Sequence, residues 1–546
     1  MENENKNNKT KIKFNVMAII LIVIFCISIA PVSLQNDTFY TIKIGEHIMK
    51  NGVDMHDPFS YHNLEYTYPH WLYDVGIYLI YNLVGQTGIY FSTIFLAIIL
   101  GITIYITNSK LNKNNIISFI ITIGSIYLLK DYIAARAQLV TFILFVLTIY
   151  FIEKFLETKK KRYGVGLIII PILIANLHTA VFPFYFVLYL PYIAEYIIHI
   201  YSSSKIIVNN GKIKDLYKKL EKTQDEEEKN RLNEQLKIAE EKKKEYLARQ
   251  QKIDKNAYKI SVSRNNNVKY LIIIMIICLF TGFITPIGTT PYTYLFKTMQ
   301  GNTTQNIAEH LPLTLINNTK LMMVFIMFLG ILIFTDTKIR LSDLFMLGGL
   351  TFLTFYTKRQ ESMLIIICGF ILNRLIISMF NKYAPETIKS IEERMTKVIG
   401  MITTIALILT ISVVNYKPKM DDNYIEQSSY PVMASDYILR HLDLRYIKLY
   451  NEYNYGSYLL FRGIPVFIDS RADLYSPEFN KDVNVFTDFL NISGVNDDNI
   501  EEMFDKYGFT HLIMYKDAKL RTFLKQTPEK YEQLYEDDYF CIYERK

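Results

Sequence analysis

Small groups of polar residues stand where the apolar runs of this chain end, and their types suit acid–base and anion chemistry. They are Asp37, Asp57-Pro58-Phe59-Ser60, His70-Trp71, Arg136 with Gln138, Asn176 with His178, Glu309-His310, and Lys358-Arg359 with Glu361. A carboxylate such as Asp37, Asp57 or Glu309 can take a proton from a hydroxyl. Cations such as Arg136, Lys358 and Arg359 suit a phosphate. Each group also has an ordinary reading: Asp37 as a polar stop after an apolar run, Asp57 as the opener of a turn, His178 with Asn176 as a loop contact, and Glu309-His310 as loop polarity. No one of them decides the chemistry alone.

Composition sets what can position them. Half of the 546 residues are hydrophobic and 21% are charged, and the mean hydropathy is +0.13. Apolar and charged residues are segregated into blocks, and about 20 apolar residues span a bilayer. The expected fold is therefore an all-α polytopic membrane bundle, with spans at 14–34, 88–107, 115–129, 137–153, 164–176, 180–203, 270–288, 321–335, 341–356, 362–380 and 398–414. The first is expected to be a retained helix, since its apolar stretch is too long for a signal peptide. Residues 71–86 place Asp74, Tyr78, Tyr81 and Asn82 opposite Leu72, Val75, Leu79 and Leu83. That stripe suits a helix lying in the interface.

With 71–86 kept out of the count, the expected cytoplasmic pieces hold 17 Lys and Arg in 54 residues and the outer pieces 7 in 99. The asymmetry places the N-terminus in the cytoplasm and the C-terminus outside. All the polar groups named above then fall in one outer layer, as expected of a site facing the outer leaflet. Arg136, Lys358 and Arg359 lie on the side that usually avoids cations, which points to an anionic partner.

Four parts follow. Residues 1–203 form an N-terminal membrane part with an outer first loop at 35–87. Residues 204–268, with 17 Lys and Arg against 11 Asp and Glu, read as a charged cytoplasmic helical insert with a short seam at Leu232, Leu236 and Ala239. Residues 269–414 form a second membrane part. Residues 415–546 read as a soluble outer α/β domain, with strands at Ile447–Tyr450, Pro465–Ile468, His511–Met514 and Phe540–Tyr543 and helices at 431–441, 499–507 and 519–525. Cys26, Cys278, Cys368 and Cys541 read as buried apolar residues, with no zinc-like spacing. No Gly-rich phosphate loop is present, and no nucleic-acid partner is expected.

At these residues the chain resembles the C-type glycosyltransferase superfamily of integral membrane enzymes. It is most similar to bacterial members related to protein O-mannosyltransferases and to the aminoarabinose and galacturonosyl transferases of lipid A. Asp37-Thr38-Phe39-Tyr40 occupies the place of that superfamily's first-loop acid. Gly45, Asp57-Pro58-Phe59-Ser60 and Trp71-Leu72 resemble a first-loop pattern of a bacterial branch. Arg136-Ala137-Gln138 resembles its Arg-Pro-Gln, and Asn176-Leu177-His178 its Asn-Leu-His-Gly with Thr179 in place of Gly. Gly456-Ser457-Tyr458-Leu459 and Asp469-Ser470-Arg471 with Asp473 resemble elements of its outer domain.

The resemblance implies a bacterial multi-pass membrane enzyme that moves a sugar from a polyprenyl-phosphate donor to an envelope glycan, lipid or protein acceptor on the outer face. It puts Asp37 in the place of the catalytic carboxylate; Asp57, held by Pro58, and Glu309 are the further carboxylate candidates, and Arg136, Lys358 and Arg359, all at outer helix ends, are expected to form the donor-phosphate group. His70, Gln138, Asn176, His178 and His310 are further outer-face candidates. Thr38 follows Asp37 where the O-mannosyltransferases carry an Asp-Glu pair, which leaves open the catalytic acid and any divalent metal. A membrane transporter and a non-catalytic scaffold for envelope assembly are the alternatives.

Overall fold

The computed structural model describes residues 2–256, 259–263, 265–301, 306–496 and 499–546. Each of the eleven apolar runs carries helix. Six helices are long and apolar enough to cross a membrane: Ile12–Ile29, Trp71–Asn112, Ala137–Thr158, Thr179–Tyr201, Lys358–Tyr383 and Val398–Lys419. Asn115–Leu128, Val268–Phe283, Thr319–Phe334 and Leu341–Tyr356 are shorter apolar helices. The protein thus has the helices of a multi-pass membrane protein, with six candidate crossings by length and composition.

The site rests on six N-terminal helices: α1 (Glu2–Ile29), α2 (Asn36–Asn51), α3 (Trp71–Asn112), α4 (Asn115–Leu128), α5 (Ala137–Thr158) and α6 (Lys161–Leu177). The segment expected as an interfacial helix, 71–86, is the first of two helical limbs in α3. Gly85 lies between them at φ 71° and ψ −152°, a conformation open to glycine alone at little cost. The helix kinks there, so the limb before Gly85 takes its own direction. It lies close against α2: a Cβ on Gly45 would come 2.1 Å from the Asp74 carbonyl oxygen, so only glycine permits this approach.

The insert forms the C-terminal part of the Leu190–Lys222 helix and the Glu226–Asn256 helix. Ile213, Leu216 and Ala239 are buried between them against Leu232 and Leu236. Two short strands, β1 (Ile260–Ser261) and β2 (Ile339–Arg340), pair in parallel.

The C-terminal domain, expected on the outer side, has a four-stranded sheet in the order β3-β4-β6-β5. Its strands are β3 (Leu449–Tyr450), β4 (His511–Tyr515), β5 (Tyr531–Glu536) and β6 (Phe540–Arg545). β3 runs parallel to β4, and β6 pairs antiparallel with β4 and β5. The expected strand at Pro465–Ile468 is not one: Val466 makes a single parallel bridge to Ser60 of the first loop. Its apolar residues are buried because that loop covers them, which explains how a non-strand imitates a buried strand. Strand β5 was not expected, since its exposed residues Glu532 and Gln533 interrupt the apolar pattern.

Two hydrophobic cores organise the molecule. One runs through the apolar helices. The other joins the first loop to the outer domain, so that Phe39 of α2 meets Tyr430, Tyr458 and Phe461 at ring distances of 5.0, 5.2 and 5.3 Å. A buried clamp reinforces that joint. Arg471 donates to Asp57 at 2.7 Å and to the two oxygens of Asp469 at 2.8 and 2.6 Å. Asp57 also accepts from the Ser60 amide at 3.0 Å, and Tyr475 donates to Asp469. Burial alone would raise the Asp57 carboxyl, but Arg471 and Ser60 outweigh it and hold it below the ordinary carboxylate range.

At the opposite end of the bundle, Arg340 and Arg374 meet Glu153 and Asp343. Arg340 bonds Glu153 at 2.5 and 3.0 Å and Asp343 at 2.7 and 2.9 Å, and Arg374 bonds Asp343 at 2.5 and 2.7 Å. Two cations and two carboxylates compensate one another, and Tyr192 closes the group on Glu153 at 3.0 Å. Scattered through the sequence within or beside apolar runs, these charges were not expected to meet.

The clamp yields a stability prediction. Arg471→Leu leaves two carboxylates buried without their cation, at a cost of about 3–5 kcal/mol, whereas Asp57→Asn leaves Arg471 paired with Asp469. Limited proteolysis of the outer domain should accelerate strongly in Arg471→Leu and far less in Asp57→Asn. Equal rates in the two variants would remove the clamp from the account.

Candidate functional site

A cavity of about 600 Å³ lies between helix ends expected on the outer side and the C-terminal domain. Asp37 reaches it from the first turn of α2, where the helix dipole favours a carboxylate. Arg136 reaches it from the residue that precedes α5, in extended backbone. Its guanidinium bonds Asp37 and also Glu309, the latter at 3.0 Å. The Arg136 Nε is buried and has no acceptor among the described residues.

Glu309 and His310 are held by backbone pairing between their loop and the short 3₁₀ turn Lys358–Gln360. The Arg359 amide donates to the Glu309 carbonyl and the Lys358 amide to the Leu311 carbonyl, both at 2.9 Å. This brings the Arg359 guanidinium 3.4 Å from His310 Nε2. Partial burial would raise the Glu309 carboxyl, but Arg136 and Arg359 outweigh it and hold it below its ordinary range. Burial, aided by Arg359, pushes the His310 imidazole down to about 4.

His70 also lines the cavity, with Nδ1 2.6 Å from Asp74 Oδ1 and Nε2 3.3 Å from the Tyr40 hydroxyl. His178 also lines the cavity and pairs with Thr141 at 2.8 Å. Burial and then the neighbouring Arg359 keep its imidazole neutral, well below the usual histidine range. The outer domain closes the space with Tyr453, Ser470, Asp473, Phe486 and Phe489. Asp473 accepts from Tyr294 at 2.8 Å and Thr298 at 3.1 Å, both on the Thr290–Gln300 helix.

A second cavity of about 330 Å³ adjoins the first, and Arg136, Gln138, Glu309 and Arg359 line both. Lys358 lines only the second, together with Lys320, Asp131 and Glu361. The three cations grouped from sequence therefore divide: Arg136 and Arg359 stand in the partition, and Lys358 behind it.

Two sequence candidates lie elsewhere. Asp57 is buried in the Arg471 clamp and lines neither cavity, so the expectation of a carboxylate open to an acceptor does not match its surroundings. Asn176 accepts from Trp71 Nε1 at 3.1 Å and donates to the Ile172 and Ile284 carbonyls at 2.8 and 2.9 Å; it fastens the start of α3 to α6.

Tyr40, Asp74 and Lys320 were not among the sequence candidates. Tyr40 follows Asp37 by three residues, so the helical period alone puts both on one face. Lys320 opens the Thr319–Phe334 helix, one residue beyond the loop counted as outer, and is a further cation against the charge trend. Asp74 gave a signal only as part of an amphipathic stripe. Among the described residues no group of three or more His, Cys, Asp or Glu suits a metal ion.

The His310 shift gives a pH prediction. Its folded value lies below the ordinary 6.5, so the unfolded chain binds the extra proton first and stability falls as pH drops from about 6.5 towards 4. His310→Gln should flatten that part of the melting-temperature profile, and an unchanged profile would count against a buried neutral imidazole. No protein-family model matches the chain, and no curated protein matches it either.

Proposed function

We propose that the protein is an integral membrane glycosyltransferase that moves a sugar, with inversion, from a polyprenyl phosphate to an acceptor hydroxyl at the outer surface of a bacterial cell membrane. The observation that carries this reading is the meeting of Asp37, Arg136, Glu309 and Arg359, distant in sequence, around one cavity at the ends of apolar helices. A lipid-borne phosphate can reach such a place while its prenyl chain stays in the bilayer.

In this reading the second cavity receives the donor phosphate. Lys358 faces it directly, and Arg136 and Arg359 reach it from the partition. The orphan Nε of Arg136 offers a donor for a phosphate oxygen, and burying it unpaired otherwise costs free energy. As the sugar–phosphate bond breaks, the electron pair leaves on the phosphate, where these cations stabilise it. Asp37 and Glu309 hold Arg136 between the chambers, and Asp37 orients the acceptor hydroxyl. The outer domain forms the acceptor side of the larger cavity. Eleven crossings, a cytoplasmic N-terminus and an outer C-terminal domain belong to the same proposal, supported by the distribution of Lys and Arg.

Purified protein incubated with a panel of polyprenyl-phosphate sugars should release the lipid phosphate, and release from none of them would refute the reading. Alanine at Lys358 or Arg359 removes a charge-assisted contact of about 1.5–3 kcal/mol, so donor binding should weaken roughly tenfold to a hundredfold with acceptor dependence nearly unchanged. Asp37→Asn should lower turnover by a similar factor while insertion stays normal. Orientation is checked separately: the native cysteines are buried, so cysteines placed at Ser109 and Lys160 should resist an impermeant thiol reagent in intact cells. One at Tyr446, 77% exposed, should react. Labelling at Lys160 would reverse the sidedness and remove the outer-face site.

A further inference from the structure

Both carboxylates nearest the partition already accept from Arg136, so neither is a free destination for a proton while that guanidinium is in place. The group around Asp74 differs. Asp74 is fully buried, and among the described residues no Lys or Arg bonds it. Its short contact is to His70 Nδ1 at 2.6 Å. A carboxylate at such depth is costly unless its partner can carry positive charge. With Asp74 ionised, Nδ1 carries the proton in this contact, which leaves the Nε2 lone pair to accept. The group facing Nε2 is the Tyr40 hydroxyl at 3.3 Å, and the two rings lie stacked at 5.8 Å. Tyr40 and His70 both line the large cavity.

We propose that Tyr40, His70 and Asp74 carry the acceptor's proton out of the reaction. This rests on the transfer reading above and names the proton acceptor that it leaves unassigned. Tyr40 touches the acceptor hydroxyl and is the catalytic residue of the three; His70 and Asp74 act through it. As the acceptor oxygen bonds to the sugar's anomeric carbon, the bond from that carbon to the phosphate oxygen breaks and its electron pair leaves with the phosphate. The acceptor's proton passes to the Tyr40 oxygen while Tyr40's own proton passes to His70 Nε2. His70 becomes an imidazolium held against the Asp74 carboxylate and gives its proton to water after the product leaves. Burial, followed by the Asp37 charge, keeps the Tyr40 phenol well above its ordinary range, so Tyr40 hands a proton on rather than holding a lasting negative charge.

The test uses the purified full chain with the same donor panel, reading kcat, donor KM and melting temperature. Wild type is compared with Tyr40→Phe, His70→Gln, Asp74→Asn and His70→Ala, and His70→Ala is also assayed with added imidazole. Loss of a general base costs about 10²–10⁴-fold, so Tyr40→Phe and His70→Gln should lower kcat at least about a hundredfold with donor KM little changed. Imidazole should restore turnover to His70→Ala and fail to do so when Tyr40→Phe is also present, an effect no purely structural role produces. If His70→Ala does not fold, the kcat of His70→Gln decides. Turnover in His70→Gln and Tyr40→Phe within about threefold of an active wild type would overturn the relay and leave the transfer reading standing. A folded His70→Ala that imidazole does not rescue would also overturn it. A wild type inert with every donor would overturn the transfer reading, and the relay with it.

Discussion

The arrangement of the outer half depends on one buried guanidinium. Arg471 holds a carboxylate from the first loop and another from its own segment, and all three groups are almost wholly withdrawn from solvent. Charges at that depth persist only when each is compensated and bonded, because desolvation costs several kcal/mol per ion. The requirement fixes the first loop on the outer domain at one register. The aromatic contacts of Phe39 then fix α2, and with it Asp37 and Tyr40, which face the cavity two residues before and one residue after that anchor. The clamp does no chemistry, yet the shape of the cavity follows from it.

Charge compensation works differently at the two ends of the bundle. Around Glu153, Arg340, Asp343 and Arg374 it is closed: two cations, two carboxylates and a tyrosine satisfy one another. Around Arg136 it is incomplete. Among the described residues one guanidinium nitrogen has no acceptor, and Lys358 and Lys320 line a cavity that Asp131, Glu309 and Glu361 also border. A closed network rigidifies; an open one has room for a charged partner. That difference is what sets the Arg136 end apart from the Arg340 end, and the proposed site rests on it.

The cavity itself brings two unlike groups of side chains together. In one, Arg136 and Arg359 concentrate positive charge beside Asp37 and Glu309. In the other, the Tyr40 hydroxyl and the His70 imidazole stand before the buried Asp74 carboxyl.

The sequence by itself determined the helical membrane class and the position of every long apolar helix, because hydropathy over twenty residues is a local property. It also singled out the residues that gather at the cavity, with Asp57 and Asn176 the exceptions, since charges at helix ends are conspicuous against apolar runs. Only the tertiary structure decided how those residues divide. Asp57 before Pro58 reads locally as a turn or a base, and nothing local reveals that Arg471, 414 residues away, would bury it. Pro465–Ile468 reads as a strand because a buried loop and a buried strand share the same apolar composition. Tyr40 and Asp74 became visible as a chain only when α2 and α3 met through Gly45. Pairings of this kind depend on which surfaces come together across hundreds of residues, a fact that no window of sequence contains.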